Sequence, residues 1–224
     1  MRRITAVIVS CFLLISTNLF SQRLKFDRNE LEPVNVSMSL ETLGGSKVVK
    51  VVKDTAVKEF DEATFTKVNG TDFKDGTIEV KVLSRLLEDA PEFARGFIGI
   101  AFRINEENSK FECIYIRPTN GRADEQVRRN HSIQYYAYPD FKFDRLRKES
   151  PEEYESYADM GLNEWIKMKI VVKGNQAKLF LNDNKQPSLI VNDLKHGENT
   201  AGAIGLWVDI GTEGFFKDLK IQAN

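Results

Sequence analysis

Hydrophobic and polar positions alternate along most of this chain with a period of two. Val36, Met38 and Leu40 face one way, and Ser37, Ser39 and Glu41 the other. Ile78, Val80 and Val82 oppose Thr77, Glu79 and Lys81, and Ile166, Met168, Ile170 and Val172 oppose Trp165, Lys167 and Lys169. Side chains of a strand point to opposite faces in turn, so this spacing predicts half-buried β-strands. Gly44-Gly45, Asn69-Gly70, Gly174-Asn175 and Asn182-Asp183-Asn184 punctuate the runs with turn residues. Phe97 to Ile104 and Phe111 to Arg117 are apolar on both faces and read as buried neighbouring strands. Ala203 to Val208 and Gly214 to Ile221 close the domain. Many short strands with little helix predict an all-β, two-sheet antiparallel sandwich. No 20–50-residue repeat points to a propeller or solenoid.

Residues 117–161 are less regular. Ala123 to Asn130 could form a short helix, Ser132 to Tyr138 reads as a strand, and Glu149 to Asp159 as polar helix or loop. Long irregular stretches in compact domains commonly carry function. The N-terminus has a different pattern. Arg2 and Arg3 precede an apolar run from Ile4 to Ile15, with the small Ser21 before Gln22. This is the pattern of a signal peptide over 1–21, followed by an arm over 22–35 and a domain over 36–224 with an insertion at 117–161. The expected location is therefore outside the cytoplasm, periplasmic or extracellular.

Four stretches carry a resemblance. Gly99-Ile100-Ala101-Phe102-Arg103, Phe111-Glu112-Cys113-Ile114, the Asn163-Glu164-Trp165 to Asp183 hairpin, and Gly202 to Trp207 followed by Phe215 to Ile221 resemble the concanavalin-A-like lectin and glucanase superfamily. Within it they are similar to the 3-keto-disaccharide hydrolase family. The resemblance implies a jelly-roll sandwich, a carbohydrate partner, glycoside hydrolysis, and Glu112 as a catalytic carboxylate. It also allows a structural Ca²⁺, although no Asp-rich loop stands out to hold one; no other cofactor is expected. A lectin-like binding module and a structural or protein-interaction domain remain alternatives.

Composition narrows the partners. The formal net charge is −1 and no block of like charges occurs, which argues against nucleic acid. The apolar N-terminal run is too short for a membrane span, and a monomer is expected. Beyond the leader only Cys113 remains, so no intramolecular disulfide can form, and its apolar strand suggests a small buried hydrophobe.

Sugars stack their C–H faces on aromatic rings and bind planar polar groups through their hydroxyls. The richest stretch for that runs from Tyr115 to Tyr138. It nominates Tyr115, Arg117, Asn120, Arg128, Arg129, Gln134 and Tyr136 for binding, with Trp207 from the closing strands. Arg103 is nominated too, because strict alternation places it with Gly99 and Ala101, beside Arg117, over a small-residue floor. Glycoside hydrolysis calls for two carboxylates about 5–10 Å apart, and Asp124 and Asp209 are further acids to set beside Glu112. Alternation, however, turns Glu112 away from Tyr115 and Arg117. His131, with a near-neutral pKa, could act as a general base. With two histidines in the chain and no metal-type spacing, no metal site is nominated.

Overall fold

The computed structural model describes residues 21–23 and 26–224. The leader pattern, Cys11 included, lies outside the described residues except for Ser21. Fifteen strands run in chain order: β1 (Ser21–Arg23), β2 (Leu31–Val34), β3 (Val36–Leu43), β4 (Ser46–Lys53), β5 (Phe65–Phe73), β6 (Gly76–Leu86), β7 (Ile98–Ile104), β8 (Phe111–Ile116), β9 (Ile133–Tyr138), β10 (Glu155–Ser156), β11 (Ile166–Lys173), β12 (Gln176–Leu181), β13 (Leu189–Val191), β14 (Gly202–Val208) and β15 (Thr212–Ala223). Among the described residues three short α-helices and one 3-10 turn (Arg28–Glu30) interrupt them: α1 (Pro118–Gly121), α2 (Gln126–Asn130) and α3 (Phe143–Glu149).

The strands form two antiparallel sheets. One has the order β13-β12-β11-β6-β15-β4-β3, with β1 also paired to β15; the other has the order β10-β9-β8-β7-β14-β5-β2. Hairpin neighbours such as β3–β4, β7–β8 and β11–β12 alternate with pairs from distant parts of the chain, such as β4–β15, β6–β11 and β5–β14, as in a jelly roll. Among the described residues, no helix is long and apolar enough to cross a membrane.

The sheets differ in how they meet solvent. In the first sheet Ile78, Val80, Val82, Ile166, Met168 and Ile170 are buried while the alternating lysines and Glu79 are not, the ordinary one-sided pattern. The second sheet is covered on both faces: every residue of β7 and β8 is buried. Its inner face carries Ile98 and Val208, which pack on Gly214 of the first sheet, together with Ile100, Ile114 and Leu206 across the register. Its outer face carries Phe65, Phe111, Cys113, Tyr115, Tyr136 and Trp207, and segments 54–64 and 118–149 lie over it.

Two boundaries differ from the sequence reading. The supposed arm contains β2, which pairs along β5 through Leu31↔Val68 and Val34↔Phe65. Pro33 is tolerated there because β2 is an edge strand and needs no donor on its outer side. The supposed insertion at 117–161 contributes β9 and β10 to the second sheet, so much of it is framework. Helix α3 escaped the sequence reading because its seven residues are mostly charged and show one buried position, Leu146.

Candidate functional site

The outer face of the second sheet was expected to be an open floor above Gly99 and Ala101. It is instead filled by rings. Gly99 lies between Trp207 and Tyr115 in the register, and a Cβ there would stand 2.5 Å from the Cβ of Tyr115. Without it, the Tyr115 and Trp207 rings approach to 4.7 Å between centroids, and Tyr136 packs on both. Segment 60–62 seals this aromatic layer. The Glu62 carbonyl accepts from Trp207 Nε1 at 3.0 Å and from the Tyr136 hydroxyl at 3.4 Å. Lys142 donates to the Phe60 carbonyl and pairs with Glu62. Asp61 accepts from the Phe143 amide and donates its own amide to Asp209. Trp207 and Tyr136 are therefore fully buried rather than stacking platforms.

The bond network also relocates the nominated charges. Arg103 leaves the expected face because a bulge interrupts the β7–β14 register between Ala203 and Gly205, and its own φ is +55°. Bulges re-aim side chains in this way. Its guanidinium, wholly buried, donates to the carbonyls of Lys74, Gly174 and Gly197 and pairs with Asp75, tying three turns together. Glu112 points to the inner face, as alternation demands, and accepts from the Tyr135 hydroxyl at 2.6 Å and the His196 amide at 2.9 Å. Burial pushes its pKa up against those hydrogen bonds. Asp124 is exposed in the α1–α2 connection. Asp209 is buried against Lys53. Gln134 lies behind Arg117 and accepts from it at 3.2 Å, and Arg129 stacks over Tyr157 outside the pocket. Cys113 is fully buried, and burial holds its thiol well above the ordinary range.

What the fold does bring together lies at one end of the sealed layer. A pocket of about 310 Å³ is lined by Tyr115, Arg117, Asn120, Arg128 and His131, all nominated from the sequence, and by Arg95, Arg147, Phe60, Phe93, Phe97 and Phe143, which were not. Its volume is at the lower end for small-molecule sites, about 300–1,000 Å³. Phe60 makes edge contacts with Phe93, Phe97 and Phe143, so the apolar wall is one continuous cluster.

Arg117 is the fixed point of the pocket. It follows β8 and donates to the His131 carbonyl at 3.0 Å, the Tyr115 hydroxyl at 2.8 Å and Gln134, and it pairs with Glu155 at 3.3 Å. Asn120 of α1 donates to the same His131 carbonyl, so α1 and the end of α2 are locked to one another. Arg147 of α3 reaches Glu155 with both arms of its fork. Burial raises the pKa of Glu155, but Arg147, Arg117 and His131 outweigh it and leave the carboxyl below its usual range. His131 Nε2 stands 3.5 Å from Glu155. Burial lowers the His131 pKa, and the charges of Arg147 and Arg117 lower it further against the pull of Glu155. Among the described residues, no group of three or more His, Cys, Asp or Glu could hold a metal ion.

No curated protein matches the chain. Solved structures do. The carbohydrate-binding module CBM66 of Bacillus subtilis is 12% identical with a TM-score of 0.54, over 86% of this chain and 96% of that one. A Bacillus subtilis protein of unknown function with a galectin-like fold is 12% identical with a TM-score of 0.53, over 91% and 94%. The β-glucanase of Bacillus licheniformis is 11% identical with a TM-score of 0.50, over 93% and 99%. At such identities the likeness shows the fold, a concanavalin-A-like jelly roll. The model of the 3-keto-alpha-glucoside-1,2-lyase-like domain matches residues 32–222, and the chain belongs to that family.

Proposed function

We propose that the pocket binds the reacting ring of a 3-oxo-glycoside and cleaves it by elimination across C1 and C2. The observation that carries this reading is the convergence of the His131 imidazole, whose pKa burial lowers, and the fixed charge of Arg117 in an aromatic-walled pocket. The family description names a 1,2-lyase of 3-keto-α-glucosides, and the site chemistry agrees with elimination better than with direct hydrolysis. Hydrolysis by acid and base needs two carboxylates facing the bond. Among the described residues lining this pocket there is none, and Glu155 behind it is engaged by Arg117 and Arg147.

A ketone at C3 acidifies the proton on C2. With the proton of the neutral His131 ring on Nε2, toward Glu155, the lone pair on Nδ1 is the base. It takes the C2 proton, and the C–H electron pair forms a C2=C3 enolate whose oxygen gains negative charge. Arg117, already oriented by four partners, stabilises that charge without reorganising. Collapse of the enolate restores the C3 ketone, forms C1=C2 and breaks the C1–O glycosidic bond. The departing oxygen takes up a proton, so no water is consumed. The phenylalanine wall offers its faces to the C–H side of the ring.

The test incubates the protein with a 3-oxo-glucoside and with its unoxidised parent in D₂O. Deuterium should enter C2 and the aglycone should be released from the 3-oxo compound only. The rate should rise with pH through a value below 6.5, where His131 loses its proton, and then level off. His131→Gln should lower the rate by about 10²–10⁴-fold, as expected for loss of a general base. Neither exchange nor release, with binding retained, would make the domain a lectin-like module. An unchanged rate in His131→Gln would remove His131 as the base.

A further inference from the structure

The pocket is far more cationic than the chain that builds it. The whole protein has a formal net charge of −1, yet Arg95, Arg117, Arg128 and Arg147 line this one cavity with no carboxylate among the described lining residues. Glu155, just behind, balances one charge of the Arg117–Arg147 pair. Arg95 and Arg128 are balanced differently. Arg95 spends its Nη1 hydrogen bonds on the Glu92 and Ala94 carbonyls, within its own loop. Burial lowers its pKa, and so do the neighbouring charges of Arg128 and Arg117, together outweighing the opposing pull of Glu92 and Glu125. Arg128 reaches Asn120 at a long 3.5 Å, and its Nε is buried with no hydrogen-bond partner. Buried donors without acceptors are uncommon in native structures. Here one belongs to an arginine of the cavity wall, where like charges have been gathered.

We propose that the sugar ring bound in this pocket carries an anionic substituent, a carboxylate or a sulfate ester, held by Arg95 and Arg128. The inference deepens the sugar-site reading above and rests on it. An oxygen anion matches the arginine forks and relieves the repulsion among the Arg95, Arg117 and Arg128 guanidinium groups. The uncharged 3-oxo-glucoside of the family description would leave that repulsion in place. The preferred substrate of this chain is therefore a 3-oxo-glycoside of an acidic sugar.

The test is calorimetric titration of the protein with methyl glucuronide, methyl glucoside 6-sulfate and methyl glucoside, at low and at high salt. At least one acidic glycoside should bind about ten- to a hundredfold more tightly than the neutral one, the range for a hydrogen bond to a charged group. Which one does so identifies the substituent. The advantage should shrink at high salt and in Arg95→Gln and Arg128→Gln. The salt arm needs no variant, so a misfolded variant does not spoil the test. Equal affinity for acidic and neutral glycosides would overturn the charge inference and leave the sugar pocket standing. If none of the three binds, the charge inference falls, while the 3-oxo-glucoside assay above decides the sugar-site reading separately.

Discussion

Asp61 is buried in the segment that seals the aromatic layer, and its replacement by asparagine should give a stability change whose sign depends on pH. Burial, with the Asp209 carboxylate close by, raises the Asp61 pKa from 3.8 to about 7, against the Phe143 amide, Arg117 and the Tyr115 hydroxyl. In the unfolded chain the carboxyl releases its proton near 3.8, whereas the folded chain keeps it. Between those values the native state binds more protons, so rising pH favours unfolding. Each pH unit is worth about 1.4 kcal/mol, and the window of about three units (7 − 3.8) gives roughly 4 kcal/mol. Asparagine removes the titration, keeps an oxygen for the Phe143 amide, and tolerates the φ of +52° that Asp61 adopts. Urea denaturation of both proteins at pH 4, 6 and 8 measures the effect. Asp61→Asn should gain stability relative to the parent as pH rises, by up to about 4 kcal/mol between pH 4 and 8. A difference that stays flat with pH, or grows as pH falls, would show that Asp61 is ionised in the folded chain and that the electrostatic reading of the seal is wrong.

Two further substitutions separate framework from site. Arg103→Ala should destabilise the fold by about 3–5 kcal/mol, the cost of breaking a buried charge pair, because it strands three turn carbonyls and Asp75; a loss under about 1 kcal/mol in urea denaturation at pH 7 would contradict the clamp. Glu112→Gln should cost about 1–3 kcal/mol through the Tyr135 and His196 hydrogen bonds and leave kcat/KM on a 3-oxo-glycoside within about twofold; a collapse of kcat/KM in a folded protein would restore Glu112 to the chemistry.

The sandwich was legible wherever one face met water. The alternation in β6, β11 and β12 follows from a sheet whose second side is solvent, and the structure buries those apolar positions; in the edge strand β3 they are only half-buried, and Leu40 is exposed. Strands β7 and β8 lost their alternation because loops cover the outer face of their sheet, so burial was readable but the covering was not. Strand β2 was hidden by Pro33, which reads as a breaker until its edge position is known. The bulge at Arg103 left no mark in the sequence: one residue out of register moves a guanidinium from the outer face to the turns at the sandwich end.

The site was half legible for a related reason. Tyr115, Arg117, Asn120, Arg128 and His131 come from one stretch, and a dense run of arginines and aromatics signals a polar cavity even without a fold. Arg95 and Phe93 precede β7, Phe60 precedes β5, and Arg147 and Phe143 lie on α3; only the tertiary fold joins them. Their convergence follows from the seal itself. Asp61 binds the α3 amide at Phe143 while Glu62 binds Trp207, so the segment that closes the aromatic layer also carries Phe60 and α3 to the pocket rim. Had the outer face stayed open, Trp207 and Tyr136 would have offered a broad neutral platform for a flat glycan. Closing it leaves a small chamber walled by four arginines, phenylalanines and His131. On the function proposed above, that geometry suits one activated ring and ties the choice of substrate to the contacts that hold segment 60–62 in place.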